Sequence, residues 1–100
     1  MAEEIFGPVL TAVPFDTMEE GLQLANDTKY GLSSTVWTQD ISKALTCVQQ
    51  LNAGWVFVNT VARSDANLPI GGNKQSGVGR ELGKEGVYNY MKTKSVNIVF

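Results

Sequence analysis

The opening of the chain places a carboxylate close to a large aromatic side chain, in the run Glu3-Glu4-Ile5-Phe6-Gly7-Pro8-Val9. A carboxylate can accept hydrogen bonds from sugar hydroxyls, and an aromatic face can pack against a flat ring. Glu4 and Phe6 lie two residues apart, so an extended segment would put both side chains on one side. The pair is therefore a candidate binding site for the ribose and base of a nucleotide. The alternative is a surface glutamate and a core phenylalanine in front of a strand.

The same run predicts a tight bend in the backbone. Glycine tolerates backbone angles that other residues avoid, and proline fixes its own φ and biases the residue before it away from helix. The bend at Gly7-Pro8 would bring Glu4 and Phe6 to one place, with a strand beginning at Val9.

The single cysteine, Cys47, is the other side chain that could carry covalent chemistry. It falls in the middle of a predicted helix, and the chain has no histidine that could activate it as a nucleophile. We therefore interpret Cys47 as a buried structural thiol. One cysteine cannot form an internal disulfide, which fits a reducing compartment.

Composition argues against several functional classes. The chain has 100 residues, 43% of them hydrophobic and 18% charged, which predicts one compact unit. Its net charge of −2 and its lack of a basic cluster argue against a nucleic-acid partner. No apolar run approaches the about 18 residues of a membrane span, and no histidine is present to build a metal site. The opening Met1-Ala2-Glu3-Glu4 lacks the basic head and apolar core of a secretory signal, so we expect a cytoplasmic protein.

The elements predicted to hold these residues alternate between strands and helices. Strands are predicted over residues 9–15, 32–38, 55–58 and 92–100, and helices over residues 18–26, 41–51 and 81–91. The first two helices have capping residues at Asp16-Thr17 and Asp40. The strand over 55–58 has no charged residue and is predicted to be buried on both faces. The order β-α-β-α-β-loop-α-β predicts an α/β fold, a three-layer parallel or mixed sheet with flanking helices.

Four motifs, in order, resemble the late part of the aldehyde dehydrogenase superfamily. They are the opening Glu3–Val9 run, Tyr30-Gly31-Leu32, Gly54-Trp55-Val56-Phe57-Val58-Asn59, and the glycine-rich run Leu68–Gly83. The last resembles the family pattern P-F-G-G-x-K-x-S-G-x-G-R-E. The resemblance covers essentially the whole chain and implies a fold like that of the aldehyde dehydrogenase catalytic domain.

The resemblance also implies a domain organisation and an activity. Residues 1–91 would be the C-terminal portion of a catalytic domain, and residues 92–100 a terminal strand that joins subunits in a homodimer or homotetramer. The enzyme would use NAD or NADP to oxidise an aldehyde to a carboxylic acid through a cysteine thiohemiacetal and thioester. Its nucleophile, general base and oxyanion donor are expected upstream of this chain. The 100 residues are therefore expected to be inactive alone.

Family resemblance further assigns roles to individual residues. Glu4 would hydrogen-bond the nicotinamide ribose, and Phe6 would pack beside the nicotinamide ring. Ser64 and Ile70, in the loop that follows Asn59, would form walls of the aldehyde tunnel. Ile70 stands where the family commonly has phenylalanine, which implies a non-aromatic wall.

Charged and glycine residues nearby have simpler interpretations. Arg63 and Asp65 could read a charged substrate, although exposed loop charges are the simpler interpretation. The segment 71–79 does not complete the G-x-G-x-x-G fingerprint and does not directly follow a strand, so its glycines are predicted to allow tight backbone packing. Arg80 and Glu81 are then structural, pairing locally or across subunits.

A second hypothesis belongs to a different functional class. The chain could be a free-standing, catalytically inactive fragment that acts as an oligomerisation or interaction module through residues 92–100. The predicted strand there has an apolar face and an edge without a partner inside the predicted sheet.

Overall fold

Short helices and short strands alternate along most of the chain. A computed structural model describes residues 3–100, and Met1 and Ala2, at the start of the predicted first domain, lie outside the described residues. In chain order the elements are α1 (Met18–Asn26), β1 (Tyr30–Gly31), β2 (Ser33–Val36), α2 (Ile41–Gln50), β3 (Trp55–Val58), β4 (Asn73–Lys74) and α3 (Gly83–Tyr88). The α/β class is confirmed.

Both predicted helix caps are present. Thr17 Oγ1 accepts a hydrogen bond from the backbone N–H of Glu20 at 3.2 Å, and the Glu20 carboxylate accepts one from the N–H of Asp16 at 2.9 Å. Asp40 Oδ1 accepts from two N–H groups of the first turn of α2, at 2.9 and 3.2 Å. These side chains satisfy N–H groups that have no partner inside the helix, which fixes where each helix begins.

Strands β2 and β3 are parallel and are connected through α2. Their register runs from Ser33 opposite Trp55 to Val36 opposite Val58. Ala44 is the buried residue of α2 and Leu22 that of α1. Strand β3 is half-buried along its length. Successive side chains of a strand point to opposite faces, and all four residues of β3 remain partly accessible, so the prediction that it is buried on both faces is wrong.

A second, antiparallel pair joins β1 to β4. Tyr30 lies opposite Lys74, and Gly31 lies opposite Asn73. The backbone N–H of Gln75 donates to Lys29 O at 2.9 Å and continues the contact. Sequence patterns did not predict this pair, because each strand has two residues and therefore shows no alternation.

Two predicted strands are not formed. Residues 9–15 and 92–100 are exposed, and the β-ladders within residues 3–100 leave both ranges out. A strand is maintained by ladder hydrogen bonds to a neighbour, so an alternating pattern alone does not produce one. We name residues 3–15 the N-terminal arm and residues 92–100 the C-terminal arm.

The third helix is shorter than predicted. It covers Gly83–Tyr88 instead of residues 81–91. Leu82 and the first helical residue, Gly83, have φ values of 58° and 57°, in the left-handed region, so the right-handed helix does not continue back to Glu81.

The chain as a whole is elongated. Its accessible surface is 8602 Å², whereas a compact monomer of this length exposes about 5,600 Å². Its radius of gyration is 17.9 Å, against about 13 Å for a compact domain of 100 residues. Much of the excess is apolar, because side chains of both arms are exposed, among them Phe6, Leu10, Val99 and Phe100. Within residues 3–100, no helix has the length and hydropathy that a membrane span needs.

Candidate functional site

The N-terminal arm bends where the sequence predicts it. The N–H of Val9 donates to Gly7 O at 2.7 Å, which closes a three-residue turn around Pro8. The residue with positive φ is Phe6, at 48°. The backbone at Phe6 is therefore not extended, so the alternation of an extended segment does not explain the positions of Glu4 and Phe6.

Glu4 and Phe6 nevertheless lie close to each other. Both line the N-terminal groove, a depression of about 630 Å³ formed by residues of the range 3–11. The Phe6 side chain is 93% exposed, and Glu4 is exposed. An accessible aromatic ring can pack against a flat ring, and an accessible carboxylate two residues away can accept hydrogen bonds from hydroxyl groups.

Glu4 also borders a second, more polar depression, which we name the amide groove. It has a volume of about 510 Å³, and Asn26, Asn52 and Ser76 are among its lining residues. Glu4 therefore lies at the junction between the N-terminal arm and the helix-strand body.

Two residues that line the amide groove, Asn26 and Asn52, begin a chain of hydrogen-bonded side chains that we name the amide chain. Asn26 donates to Gln50 O and accepts from the N–H of Asn52, both at 2.8 Å. Asn73 Nδ2 donates to Asn52 Oδ1 at 3.1 Å. Arg80 Nη2 donates to Asn73 Oδ1 at 2.6 Å. These bonds join the ends of α1 and α2 to β4 and to Arg80 in the glycine-rich run Leu68–Gly83.

The guanidinium of Arg80 links distant residues of the glycine-rich run by hydrogen bonds. Its Nη1 donates to Gly72 O at 3.0 Å and to Gly79 O at 2.8 Å, in addition to the Nη2 bond to Asn73. The prediction that Arg80 is structural and pairs locally is confirmed. Lys74 acts in a similar way from β4, since its Nζ donates to Asn26 O at 2.8 Å.

Close backbone packing explains the glycines of this region. A Cβ on Gly54 would lie 1.6 Å from Gly71 O, and one on Gly71 would lie 2.4 Å from Gly79 O. Both distances are far below van der Waals contact, so no larger residue fits at either position without moving the backbone. The predicted role in tight packing is confirmed at Gly71, whereas the close packing at Gly54 was not predicted.

Ile70 lies on a different surface from Glu4 and Phe6. Its N–H and C=O each pair with the backbone of Glu81 at 2.7 Å, and its side chain is half-buried. It lines the glycine groove, a depression of about 790 Å³ formed mainly by residues 70–90. The glycine groove and the amide groove share Leu32 and Ser76. The cofactor candidate Glu4 and the substrate candidate Ile70 thus border neighbouring grooves and do not share one cavity.

Ser64 lies on the loop of residues 59–69 and is exposed. It is outside both the amide groove and the glycine groove. Nearby, Asp65 Oδ1 accepts hydrogen bonds from the N–H and Nδ2 of Asn67, at 2.8 and 3.1 Å. Asp65 therefore stabilises a local turn. Arg63 is exposed, which agrees with its interpretation as an exposed loop charge.

Asn59 makes contacts that sequence reasoning missed. It follows β3, has a φ of 53°, and bonds through both side-chain atoms to the backbone of Thr38, at 2.9 and 2.7 Å. Asn26 and Asn52 likewise stand at helix ends. An asparagine at the end of a helix or strand is the sequence feature that could have predicted these contacts. Asparagine tolerates a left-handed backbone, and its short side-chain amide bonds to nearby peptide groups.

Cys47 is a free, half-buried thiol within α2. Among residues 3–100, no group of three or more histidine, cysteine, aspartate or glutamate side chains could hold a metal ion.

Comparisons with known proteins agree on one family. The model of the aldehyde dehydrogenase family matches residues 1–96. The chain is 46% identical over 98 residues to aldehyde dehydrogenase [NAD(P)+] 1 of Saccharomyces cerevisiae, covering 98% of this chain and 19% of that protein. It is also 46% identical over 98 residues to 2-aminomuconic semialdehyde dehydrogenase of Danio rerio, covering 98% of this chain and 20% of that protein.

Solved structures agree in both sequence and shape. An apo variant of betaine aldehyde dehydrogenase from Staphylococcus aureus is 48% identical with a TM-score of 0.90, covering 93% of this chain and 19% of that chain. The same enzyme in complex with NAD+ is 49% identical with a TM-score of 0.86, covering 89% of this chain and 18% of that chain. This chain thus spans about a fifth of the length of its relatives. On both sequence and fold, it belongs to the aldehyde dehydrogenase family.

Proposed function

We propose that this chain forms the nicotinamide-side wall and part of the aldehyde channel of an NAD(P)-dependent aldehyde dehydrogenase. The observation that carries the proposal is the shared groove of Glu4 and Phe6 in a chain of this family. Relatives support it, since one is described as NAD(P)+-dependent and another is solved with NAD+. The large exposed apolar surface also supports it, because such a surface requires further protein to cover it.

In this proposal each candidate residue has a binding role. The Glu4 carboxylate accepts hydrogen bonds from ribose hydroxyls, and the Phe6 ring packs against the nicotinamide. Ser64 and Ile70 line the aldehyde channel. The cofactor, when bound, supplies a hydride acceptor. The proposed overall reaction oxidises an aldehyde to a carboxylic acid through a cysteine thiohemiacetal and thioester, with the nucleophile outside this chain.

Replacing Glu4 tests this proposal. In the enzyme that carries this chain, Glu4→Gln keeps the size of the side chain and weakens its hydrogen bonds to hydroxyls. We expect KM for NAD+ or NADP+ to rise about tenfold, while KM for the aldehyde changes little, because a charge-assisted hydrogen bond contributes about 1.5–3 kcal/mol. The matched control is Glu19→Gln, which changes an exposed carboxylate in the first turn of α1.

Two results would contradict the proposal. One is an unchanged cofactor KM in Glu4→Gln. The other is steady NADH production by the purified 100-residue chain alone, because the proposal puts the nucleophile and general base elsewhere.

An interaction module is the second candidate function. The observation in its favour is the exposure of apolar side chains along the C-terminal arm, including Val96, Ile98, Val99 and Phe100. In this proposal the arm pairs with a second copy to form a homodimer or homotetramer. Light scattering tests it, since deletion of residues 94–100 should convert a discrete oligomer into a smaller species. A polydisperse aggregate before deletion would contradict the module.

A further inference from the structure

The residue that ends β3 also determines how the next loop leaves the sheet. The N–H of Asn59 donates to Val36 O at 2.9 Å, just beyond the last paired residues of β2 and β3. Asn59 then turns the chain with a φ of 53°. Few residues other than glycine adopt this conformation, and asparagine is one that does so at low cost. The direction of the following segment therefore depends on this backbone angle.

The side chain of Asn59 fixes this conformation. Its Oδ1 accepts a hydrogen bond from the N–H of Thr38 at 2.9 Å, and its Nδ2 donates to Thr38 O at 2.7 Å. The amide group therefore bonds to Thr38 as a further strand residue would. Two bonds to one residue prevent rotation about χ1 and χ2, so the side chain holds its own backbone in place.

The other end of the loop has separate anchors. Trp55 Nε1 donates to Pro69 O at 2.8 Å, and the N–H of Gly83 donates to Ala66 O at 3.0 Å. Between these anchors and Asn59, the hydrogen bond from Thr60 Oγ1 to Val61 O measures 3.5 Å, at the limit of a hydrogen bond. Residues 60–64 are therefore oriented mainly from their Asn59 end.

We propose that Asn59 is a positioning residue that selects among aldehydes by setting the course of residues 60–64. This inference rests on the proposed function, in which Ser64 lines the aldehyde channel. Asn59 acts through the loop and not by contact with substrate. A loop displaced by about 1 Å can change reaction rates by about a hundredfold when it positions the substrate.

The test uses Asn59→Gly and Asn59→Asp in the enzyme that carries this chain. Glycine keeps the left-handed backbone accessible and removes both side-chain bonds. Aspartate keeps an acceptor for the Thr38 N–H but sets a carboxylate oxygen against Thr38 O. The control is Asn67→Ala, on the same loop, where the lost side-chain bond is internal to the Asp65 turn.

Two measurements are made on each variant. The first is kcat and KM for a short and a long aliphatic aldehyde, with KM for NAD+. We expect both Asn59 variants to raise aldehyde KM about tenfold and to change the ratio of kcat/KM between the two aldehydes about fivefold, with KM for NAD+ within about twofold of wild type. The second is the rate of tryptic cleavage after Arg63, measured by mass spectrometry. It should rise about tenfold as the segment opens locally.

The possible outcomes separate this inference from the proposed function. Equal losses for both aldehydes, or an unchanged cleavage rate after Arg63, would overturn the role of Asn59. A similar change of selectivity in Asn67→Ala would also overturn it. If the wild-type enzyme oxidises no aldehyde, the proposed function fails and selection among aldehydes fails with it. The cleavage rate then still decides whether Asn59 orients residues 60–64.

Discussion

Replacing Gly54 with alanine should destabilise the protein severely. The added Cβ would lie 1.6 Å from Gly71 O, 2.8 Å from the Gly71 carbonyl carbon and 3.4 Å from the Gly72 Cα. All three are backbone atoms, so no side-chain rotation can relieve the contact. To reach about 3.4 Å from the oxygen, the two segments must separate by nearly 2 Å.

The cost follows from what this separation breaks. Overpacking a well-filled contact costs about 1–3 kcal/mol. The movement also strains the hydrogen bonds from Gly54 N to Gly31 O, at 2.9 Å, and from Trp55 Nε1 to Pro69 O, at 2.8 Å. With about 1 kcal/mol for each bond, we expect a loss of about 3–5 kcal/mol in the free energy of unfolding. That loss is a large part of the about 5–15 kcal/mol by which most proteins are stable.

Gly7→Ala is the matched control, because no atom lies within 4 Å of a Cβ built there. Its stability should change by less than about 1 kcal/mol. Urea unfolding followed by tryptophan fluorescence measures both variants, and Trp55 beside Gly54 is a natural reporter. If Gly54→Ala and Gly7→Ala unfold at the same urea concentration with the same slope, the close-packing account is refuted.

Two other substitutions test the roles given to Arg80 and Cys47. Arg80→Lys keeps the charge but cannot reproduce the bonds from one planar group to Gly72 O, Gly79 O and Asn73 Oδ1, so it should cost about 2 kcal/mol in urea unfolding. The exposed change Lys84→Arg is the control, and equal stabilities would count against the role given to Arg80. Cys47→Ala should leave kcat within about twofold of wild type, because this half-buried thiol lies within α2 and the sequence has no histidine to activate it. Loss of turnover with normal stability would show that Cys47 takes part in the chemistry.

Local signals in the sequence determined the helical part of the fold. Thr17 and Asp40 mark the helix starts, and each bonds to N–H groups two or three residues away. The helix predicted over residues 41–51, between the strands predicted over 32–38 and 55–58, indicated a strand-helix-strand unit, which the parallel β2–β3 pair confirms. Such signals can be read from sequence because the interacting groups are neighbours in the chain.

The candidate site was predictable in part. The bend at Gly7-Pro8 and the shared groove of Glu4 and Phe6 agree with the sequence-based expectation. The positive φ of Phe6 does not, because glycine was the residue expected to accept unusual backbone angles. The roles of Ser64 and Ile70 at the aldehyde remain predictions.

Tertiary structure decided the long-range contacts. The amide chain joins Asn26, Asn52, Asn73 and Arg80, and the sequence alone does not distinguish a solvated asparagine from a bonded one. Pairing of β1 with β4 depends on two residues on each side and leaves no periodic pattern. The arms show the reverse, since their apolar patterns predict strands that the described residues leave outside every ladder. A helix is specified by contacts within its own segment, whereas a strand exists only where a second segment provides the other half of its hydrogen bonds.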